Sequence, residues 1–380
     1  MTARMLTLLF FTFCITACTS IDESQSLVAE SNAQAPASQN AKQVEQNSES
    51  VWPAESETEL AAHASVESID LDRPLVKAFV EKMIREHEFT ADEIQSVLAQ
   101  GKNQTWILEL IARPAEKSKE WYEYRNIFLN QKRIDNGKKF MQAHQATLAA
   151  AEKKFGVAPE IITAIIGVET QYGANYGKTK VLDALVTLGF NYPPRRKLFI
   201  NQLEELFLLS REQGFDPTTL IGSYAGAMGN GQFIPSSYRD FAVDGDGDNI
   251  VDLWQSWPDT IFSVANYFNV HKWKDGEDVL ALAQTRPGCE KKFPESKVSL
   301  KNHTVGSLRN GKCGYEFNTT LADDAPAMFL TMQQKNSTDI VIGFNNFYSI
   351  TRYNRSPKYA RAVFELSQEF LQTPEQSVAQ

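Results

Sequence analysis

Residues 159–173 read PEIITAIIGVETQYG, and the order of apolar and polar positions in this stretch decides the fold. Pro159 sits where a helix can begin, because the first turn has no use for its missing N–H. Ile161, Ile162, Ala164, Ile165, Ile166 and Val168 follow and cover every side of a helix, so this helix belongs at the centre of its domain. The apolar run ends at Glu169. A glutamate is almost never buried unless it is paired or functional. Near the end of a buried helix, desolvation and the negative end of the helix dipole both favour its neutral form. A carboxyl held protonated near neutral pH is a competent general acid. The bland alternative is an ion pair with Arg195 or Arg196.

Helical periodicity extends in both directions. Val76, Phe79, Val80, Met83 and Ile84 recur at helix spacing. Ile94, Val97 and Leu98 repeat it behind Thr90-Ala-Asp-Glu93, which reads as a capping box. Further helices are expected over 135–155, 197–212, 259–270 and 357–371. Residues 285–325, with Pro, Gly, two Cys and short alternating runs, read as a small strand-containing insert. The expected fold class is mainly α (α+β). The expected division is a leader at 1–18, a tether at 19–65, a helical domain at 66–155, a core at 156–284, the insert at 285–325 and a C-terminal helical segment at 326–380.

The ends carry their own signals. Arg4 followed by the apolar run Met5–Ala17 is a secretory leader, too short to span a membrane as a mature helix. It closes on Ile15-Thr16-Ala17-Cys18, which resembles a bacterial lipobox that would make a lipidated Cys18 the mature N-terminus. Ordinary cleavage near Ala17 is the alternative. Thr19 rather than Asp after that Cys implies the outer membrane by the Gram-negative sorting pattern. Residues 19–65 hold eight acidic residues and one Lys, a net charge of −7 out of −9 for the whole chain. Low hydrophobicity with like charge means disorder, and a solvated tether lets an anchored domain reach away from its membrane. With the acid concentrated there and no basic stripe elsewhere, a nucleic-acid partner is excluded.

Three further motifs stand out. Residues 222–235, GSYAGAMGNGQFIP, carry four glycines within ten residues, which suits either close approach of a ligand to the backbone or tight packing. Ser223 and Gln232 offer polar contacts there. In DGDGDNIVD (244–252), Asp244, Asp246 and Asp248 alternate as in the first half of an EF-hand loop, and the Ile250 carbonyl would stand at the seventh position. Asn249 replaces the usual glycine and Gln255 the usual terminal glutamate, so Asp259 is the candidate for the closing carboxylate. Ca²⁺ is the expected ion; a solvated acidic turn is the alternative. Residues 345–359, NNFYSITRYNRSPKY, mix the flat rings and amides that a sugar site needs. Cys289 and Cys313 would meet an oxidising compartment, where a disulfide is expected and two free thiols are the alternative. No nucleotide-binding glycine motif and no His/Cys metal cluster appears, so no organic cofactor is expected.

Taken together, Ile166–Gly173, Gly226–Tyr238 and Asn346–Asn354 resemble the membrane-bound lytic transglycosylase B family of peptidoglycan enzymes, over about Ser68 to Gln368. The resemblance implies a lysozyme-like catalytic core with additional helical and β-containing parts, the C-terminal segment completing the cleft. It implies that Glu169 is the only acid/base, that Ser223, Gln232, Tyr353, Asn354 and Tyr359 line the cleft together with Tyr124 and Arg195, and that the Asp-rich loop is an EF-hand-type calcium site. Leu198 departs from the family, which often has an aromatic residue near that position. The implied reaction cleaves the β-1,4 bond between N-acetylmuramic acid and N-acetylglucosamine and leaves a 1,6-anhydro end. The implied partners are peptidoglycan strands, the outer membrane and other cell-wall enzymes, for a monomeric protein in the periplasm. A muramidase on the same fold and a non-catalytic peptidoglycan-binding lipoprotein are the competing readings.

Overall fold

The computed structural model describes residues 52–112, 119–289 and 293–372; the leader, Cys18 and the tether up to residue 51 lie outside them. Within the described residues the tether expected over 19–65 ends early. Helix α1 (Glu57–Ser65) opens with a capping box made by Ser56 and Glu59. The chain entering it is clamped by Glu55, whose carboxylate accepts from Arg73 Nε (2.5 Å) and Nη2 (2.8 Å) and from Arg196 Nη2 (3.2 Å). Composition averaged over the segment predicts disorder; one buried carboxylate held between two guanidiniums overrides it locally.

Helices α2 (Pro74–His87), α3 (Ala91–Leu98), α4 (Thr105–Ile111), α5 (Trp121–Phe128), α6 (Gln131–Ala143) and α7 (Gln145–Phe155) follow. The capping box read at Thr90 and Glu93 opens α3. The single helix expected over 135–155 is two, because His144 leaves helical geometry (φ −113°, ψ 22°) and packs its ring against Phe140 and Trp257. Helix α8 (Pro159–Thr170) is the centre of the molecule: every residue from Ile161 to Thr170 is buried. It packs against α6, α7 and two helices that come later in the chain.

Beyond it, β1 (Thr179–Lys180) pairs with β2 (Ile221–Gly222), enclosing α9 (Val181–Asn191) and α10 (Arg196–Gln213). Helices α11 (Pro235–Phe241) and α12 (Trp257–Val270) complete this region, and α12 is one of the two later neighbours of α8.

The sheet comprises β3 (Leu280–Thr285), β4 (His303–Thr304), β5 (Tyr315–Glu316), β6 (Pro326–Gln333) and β7 (Thr338–Gly343), antiparallel in the order β4-β6-β7-β3-β5, with a short helix α13 (Val305–Arg309) after β4. It is therefore wider than the insert expected at 285–325, and residues 326–343, expected to be helical, form two of its middle strands. Their apolar residues face two ways. Met328, Leu330, Met332 and Val341 join the helical core, while Ala327, Phe329, Ile340 and Ile342 build a second core with Ala281, Ala283, Val305 and Phe317. A strand covered on both faces loses the polar alternation that identifies strands in a sequence. Cys289 and Cys313 are joined, Cα atoms 5.5 Å apart, tying the exit of β3 to the entrance of β5.

Two helices close the chain: α14 (Asn345–Tyr353) and α15 (Pro357–Leu371). Ser356 caps α15 by accepting from Tyr359 N, with Pro357 in its first turn. Helix α15 is the other late neighbour of α8 and also packs on α5 and α6. Among the described residues one continuous apolar core thus runs from Ile69 to Phe370.

Candidate active site

Glu169 lies next to the last residue of α8 and is 4% exposed. Its Oε1 accepts a 2.6 Å hydrogen bond from the Tyr359 hydroxyl. Tyr353 and Tyr267 stand near enough for the Glu169 carboxylate to disfavour their ionisation. All three phenols are held above the ordinary tyrosine range, by burial first; next comes Glu169 for Tyr359 and Tyr353, while for Tyr267 the cations Arg352 and Arg355 oppose the shift. They therefore remain hydrogen-bond donors: Tyr359 to Glu169, Tyr353 to the Gly231 carbonyl and Tyr267 to the Arg352 carbonyl. Arg196, a candidate counter-ion for Glu169 by sequence, pairs with Glu55 instead. The Arg195 guanidinium lies over the Phe199 ring, 5.3 Å from its centre.

The turn that leaves Glu169 is unusual. Gln171, Tyr172 and Gly173 all have positive φ (53°, 60° and 79°), a conformation costly for residues with a Cβ. Thr170 holds its start: the hydroxyl shares its one proton between Ile166 O and Asn230 O and accepts from Gly173 N. Tyr172 holds its end by inserting its ring between α6 and α8 and donating to the Arg133 carbonyl at 2.9 Å. No residue type in the sequence announced this turn, since glycine is the only one of the three that prefers it.

The glycine segment forms the neighbouring wall. Ser223 N donates to Ala227 O, Ala227 N returns a bond to Ser223 Oγ at 3.0 Å, and Met228 and Phe233 exchange both backbone bonds. Gly226 has φ +83°, and a Cβ there would stand 2.5 Å from a methyl of Leu185. Close packing accounts for this glycine. Gln232, at φ +51°, donates from Nε2 to Tyr176 O and Gly229 O. Ser223 and Gln232 thus both shape the wall, and Gly231 carries it to Tyr353.

Asn354 is fully buried. Its Oδ1 accepts from Ser356 N, while its Nδ2 has no hydrogen-bond partner among the described residues. Tyr124, 1% exposed, packs on Phe128, and its ionisation and that of Tyr359 disfavour one another. Leu198 is partly buried against the main core. Tyr267 is the neighbour of Glu169 that sequence reading missed. It sits mid-helix among apolar residues, where a tyrosine reads as core.

The acidic loop is a separate site. Asp244, Asp246 and Asp259 each present a carboxylate oxygen, all within 4.8 Å of one another. Backbone N–H groups orient them: Gly247 and Asn249 donate to Asp244, and Gly245 and Asp252 to Asp259. The Asp248 carboxylate accepts from Ile250 N and does not belong to that close group. Asp244 is held below the usual carboxylate range, chiefly by the Gly247 and Asn249 N–H groups.

The sequence model of the transglycosylase SLT domain matches residues 72–368. The membrane-bound lytic murein transglycosylase B of Escherichia coli (strain K12) is 38% identical over 307 residues, which is 78% of this chain and 82% of that protein. Among solved structures, the catenated lytic transglycosylase SltB1 from Pseudomonas aeruginosa superposes with a TM-score of 0.72 at 42% identity, over 78% of this chain and 97% of that one. The Escherichia coli lytic transglycosylase Slt35 in complex with calcium gives 0.70 at 37% identity, over 82% and 97%.

Proposed function

This chain belongs to the lytic transglycosylase family, enzymes of lysozyme-like fold that cleave peptidoglycan, and on that premise we propose that Glu169 performs both proton transfers of the reaction. As an acid it protonates the glycosidic oxygen between N-acetylmuramic acid and N-acetylglucosamine, and the C1–O bond breaks with the substrate's own 2-acetamido carbonyl supporting C1. As the resulting carboxylate it takes the proton of the sugar's C6 hydroxyl, whose oxygen attacks C1. A 1,6-anhydro ring closes, the acid is regenerated and no water is consumed.

The observation that carries this reading is the seat of Glu169, buried at the end of α8 with its Oε1 held at 2.6 Å by the Tyr359 hydroxyl. Ordinary glycosidases use two carboxyl groups roughly 5–9.5 Å apart. The proposed reaction needs one, because the sugar's own C6 hydroxyl is the nucleophile, and the Glu169 charge bears on Tyr267, Tyr353 and Tyr359 alike. Tyr359, kept protonated, fixes Oε1 so that the carboxyl holds one orientation through both transfers. Asn354 Nδ2, buried without a partner, supports a sugar acceptor at this end of the cleft, with Ser223, Gln232, Tyr353, Tyr124 and Arg195 as the remaining contacts.

The oxygen-only donor set of the acidic loop suits a hard cation. We assign it to structural Ca²⁺ held by Asp244, Asp246 and Asp259, with Asp248 and the Ile250 carbonyl completing the set; the calcium-bound relative supports the choice of ion. Asp246→Ala is expected to abolish the rise in melting temperature that Ca²⁺ gives the parent, and an equal rise in both would refute the site. No helix among the described residues is long and apolar enough to cross a membrane. Lipidation of Cys18, giving a periplasmic enzyme on the outer membrane, is the attachment we propose.

The test of the chemistry is mass spectrometry of muropeptides released from purified peptidoglycan by the parent and by Glu169→Gln. The parent should release anhydro-ended fragments. The variant should release none while still binding sacculi. Undiminished release by the variant would sink the assignment, and reducing ends from the parent would make the enzyme a muramidase.

A further inference from the structure

Of the six tryptophans, Trp106 is the one with an exposed side chain, at 44%; Trp121 is fully buried, and Trp52, Trp254, Trp257 and Trp273 are packed partly buried against the core. Water is a poor neighbour for an indole, and this one is not left loose. Its Nε1 donates to Gln104 Oε1 at 3.1 Å. Gln104 is in turn fixed to α9, through its N–H on Thr187 Oγ1 and its Nε2 on Asp183 Oδ2. The ring lies beside Tyr224, centroids 6.5 Å apart and tilted by 57°. Thr105 and Glu109 around it are polar and exposed, and Gln104 is polar and partly buried, so the indole is a single flat apolar face in a polar setting. That suits a sugar ring, which pairs a C–H face with a hydroxyl rim, better than it suits the broad apolar surface of a protein partner.

The position connects to the cleft. Tyr224 belongs to the glycine segment, next to Ser223, and Gly226 of that segment presses on Leu185 of α9. The far end of the same segment receives the Tyr353 hydroxyl at Gly231 O, beside Glu169. Trp106 thus packs beside the same segment that meets Tyr353.

We propose that Trp106 is a distal sugar-stacking platform that binds the peptidoglycan strand outside the catalytic subsites and so favours long strands over short ones. The proposal rests on the glycan-cleaving reading above. It predicts an effect confined to substrates long enough to reach the indole.

The experiment compares full-length parent, Trp106→Ala and Trp106→Phe on intact glycan strands and on the shortest oligosaccharide the parent cleaves. Loss of one aromatic stacking contact should raise KM on long strands about five- to tenfold, leave kcat within about twofold because no transition-state contact is lost, and leave the short substrate unaffected. Trp106→Phe should recover most of the loss. Equal effects on long and short substrates, or no effect on either, would overturn the proposal. If Trp106→Ala melts lower than the parent, Trp106→Phe is compared with Trp106→Leu, and equal KM for the two overturns it as well. If the parent releases no fragments at all, the catalytic reading has failed rather than this one. Sedimentation with sacculi then decides: weaker binding by Trp106→Ala supports the platform, and unchanged binding rejects it.

Discussion

Gly167 lies two residues before the acid and is the point at which α8 yields to the Tyr172 ring. A Cβ at 167 would stand 2.5 Å from the Tyr172 hydroxyl oxygen, 2.6 Å from Cζ and 2.7 Å from Cε1. The ring has nowhere to go. On its other side, a Cβ at Gly137 would also be 2.5 Å from the same hydroxyl; the hydroxyl is tied to Arg133 O, and Phe140 packs on the ring. Gly167→Ala should therefore behave as overpacking, at about 1–3 kcal/mol, offset by about 1 kcal/mol of improved helix propensity. The net loss is between about zero and 2 kcal/mol, at most roughly 8 °C in melting temperature. Displacement reaches Glu169 directly, so kcat should fall by about tenfold or more. The decisive measurement is a double-mutant cycle by thermal unfolding. In a Tyr172→Ala background the obstacle is gone, and Gly167→Ala should become stabilising by up to about 1 kcal/mol. A Gly167→Ala protein with parental stability and activity, or one equally destabilised in both backgrounds, would refute the idea that the ring sets the seat of the acid.

Glu55→Ala should cost about 3–5 kcal/mol in urea unfolding, since it strands Arg73 and Arg196 beneath α1 without their counter-charge; a loss under about 1 kcal/mol would show that the clamp is dispensable. Burial, assisted by Arg352 and Lys272 and opposed by the Tyr267 carbonyl, holds the His271 ring below its ordinary 6.5. The unfolded chain then takes up a proton that the folded protein refuses, so stability should fall as pH drops below about 6.5 and level off once the folded value is passed. His271→Gln should flatten that slope, and an unchanged slope would exclude His271 as its source. Replacing Cys289 and Cys313 by Ser removes a cross-link spanning 24 residues, worth about 3 kcal/mol. Hydrogen exchange should speed up in β3 and β5 while α8 stays protected, and uniform protection would contradict this.

The helical body was legible because its signals are local. The apolar run of α8, the stop at Glu169, the Thr90 cap and the helices ending the chain each follow from residues within a few positions of one another. The Asp-rich loop was legible for the same reason, and Asp259 was reachable by elimination. What escaped depends on distant contacts. β6 and β7 lost their alternation because two cores, assembled from elsewhere in the chain, claim opposite faces of each strand. The positive-φ run at Gln171–Gly173 is imposed by Thr170, Asn230 and the slot between α6 and α8. Helix α1 is held by arginines at 73 and 196, which composition near residue 55 does not reveal. The glycine segment was read as suited to a ligand or to packing, and Gly226 answers to packing against Leu185.

The hydroxyl that holds Glu169 comes from a residue 190 positions later in the chain, on the helix that also walls α8. The acid is therefore made early and seated last. A ribosome or a translocation channel still holding the C-terminal stretch holds back Tyr359, Tyr353 and Asn354 together. Until those residues are released, the nascent chain carries Glu169 without the hydroxyl that holds it. Topology alone thus postpones the seating of Glu169 until the stretch that carries Tyr359 has left the ribosome or the channel.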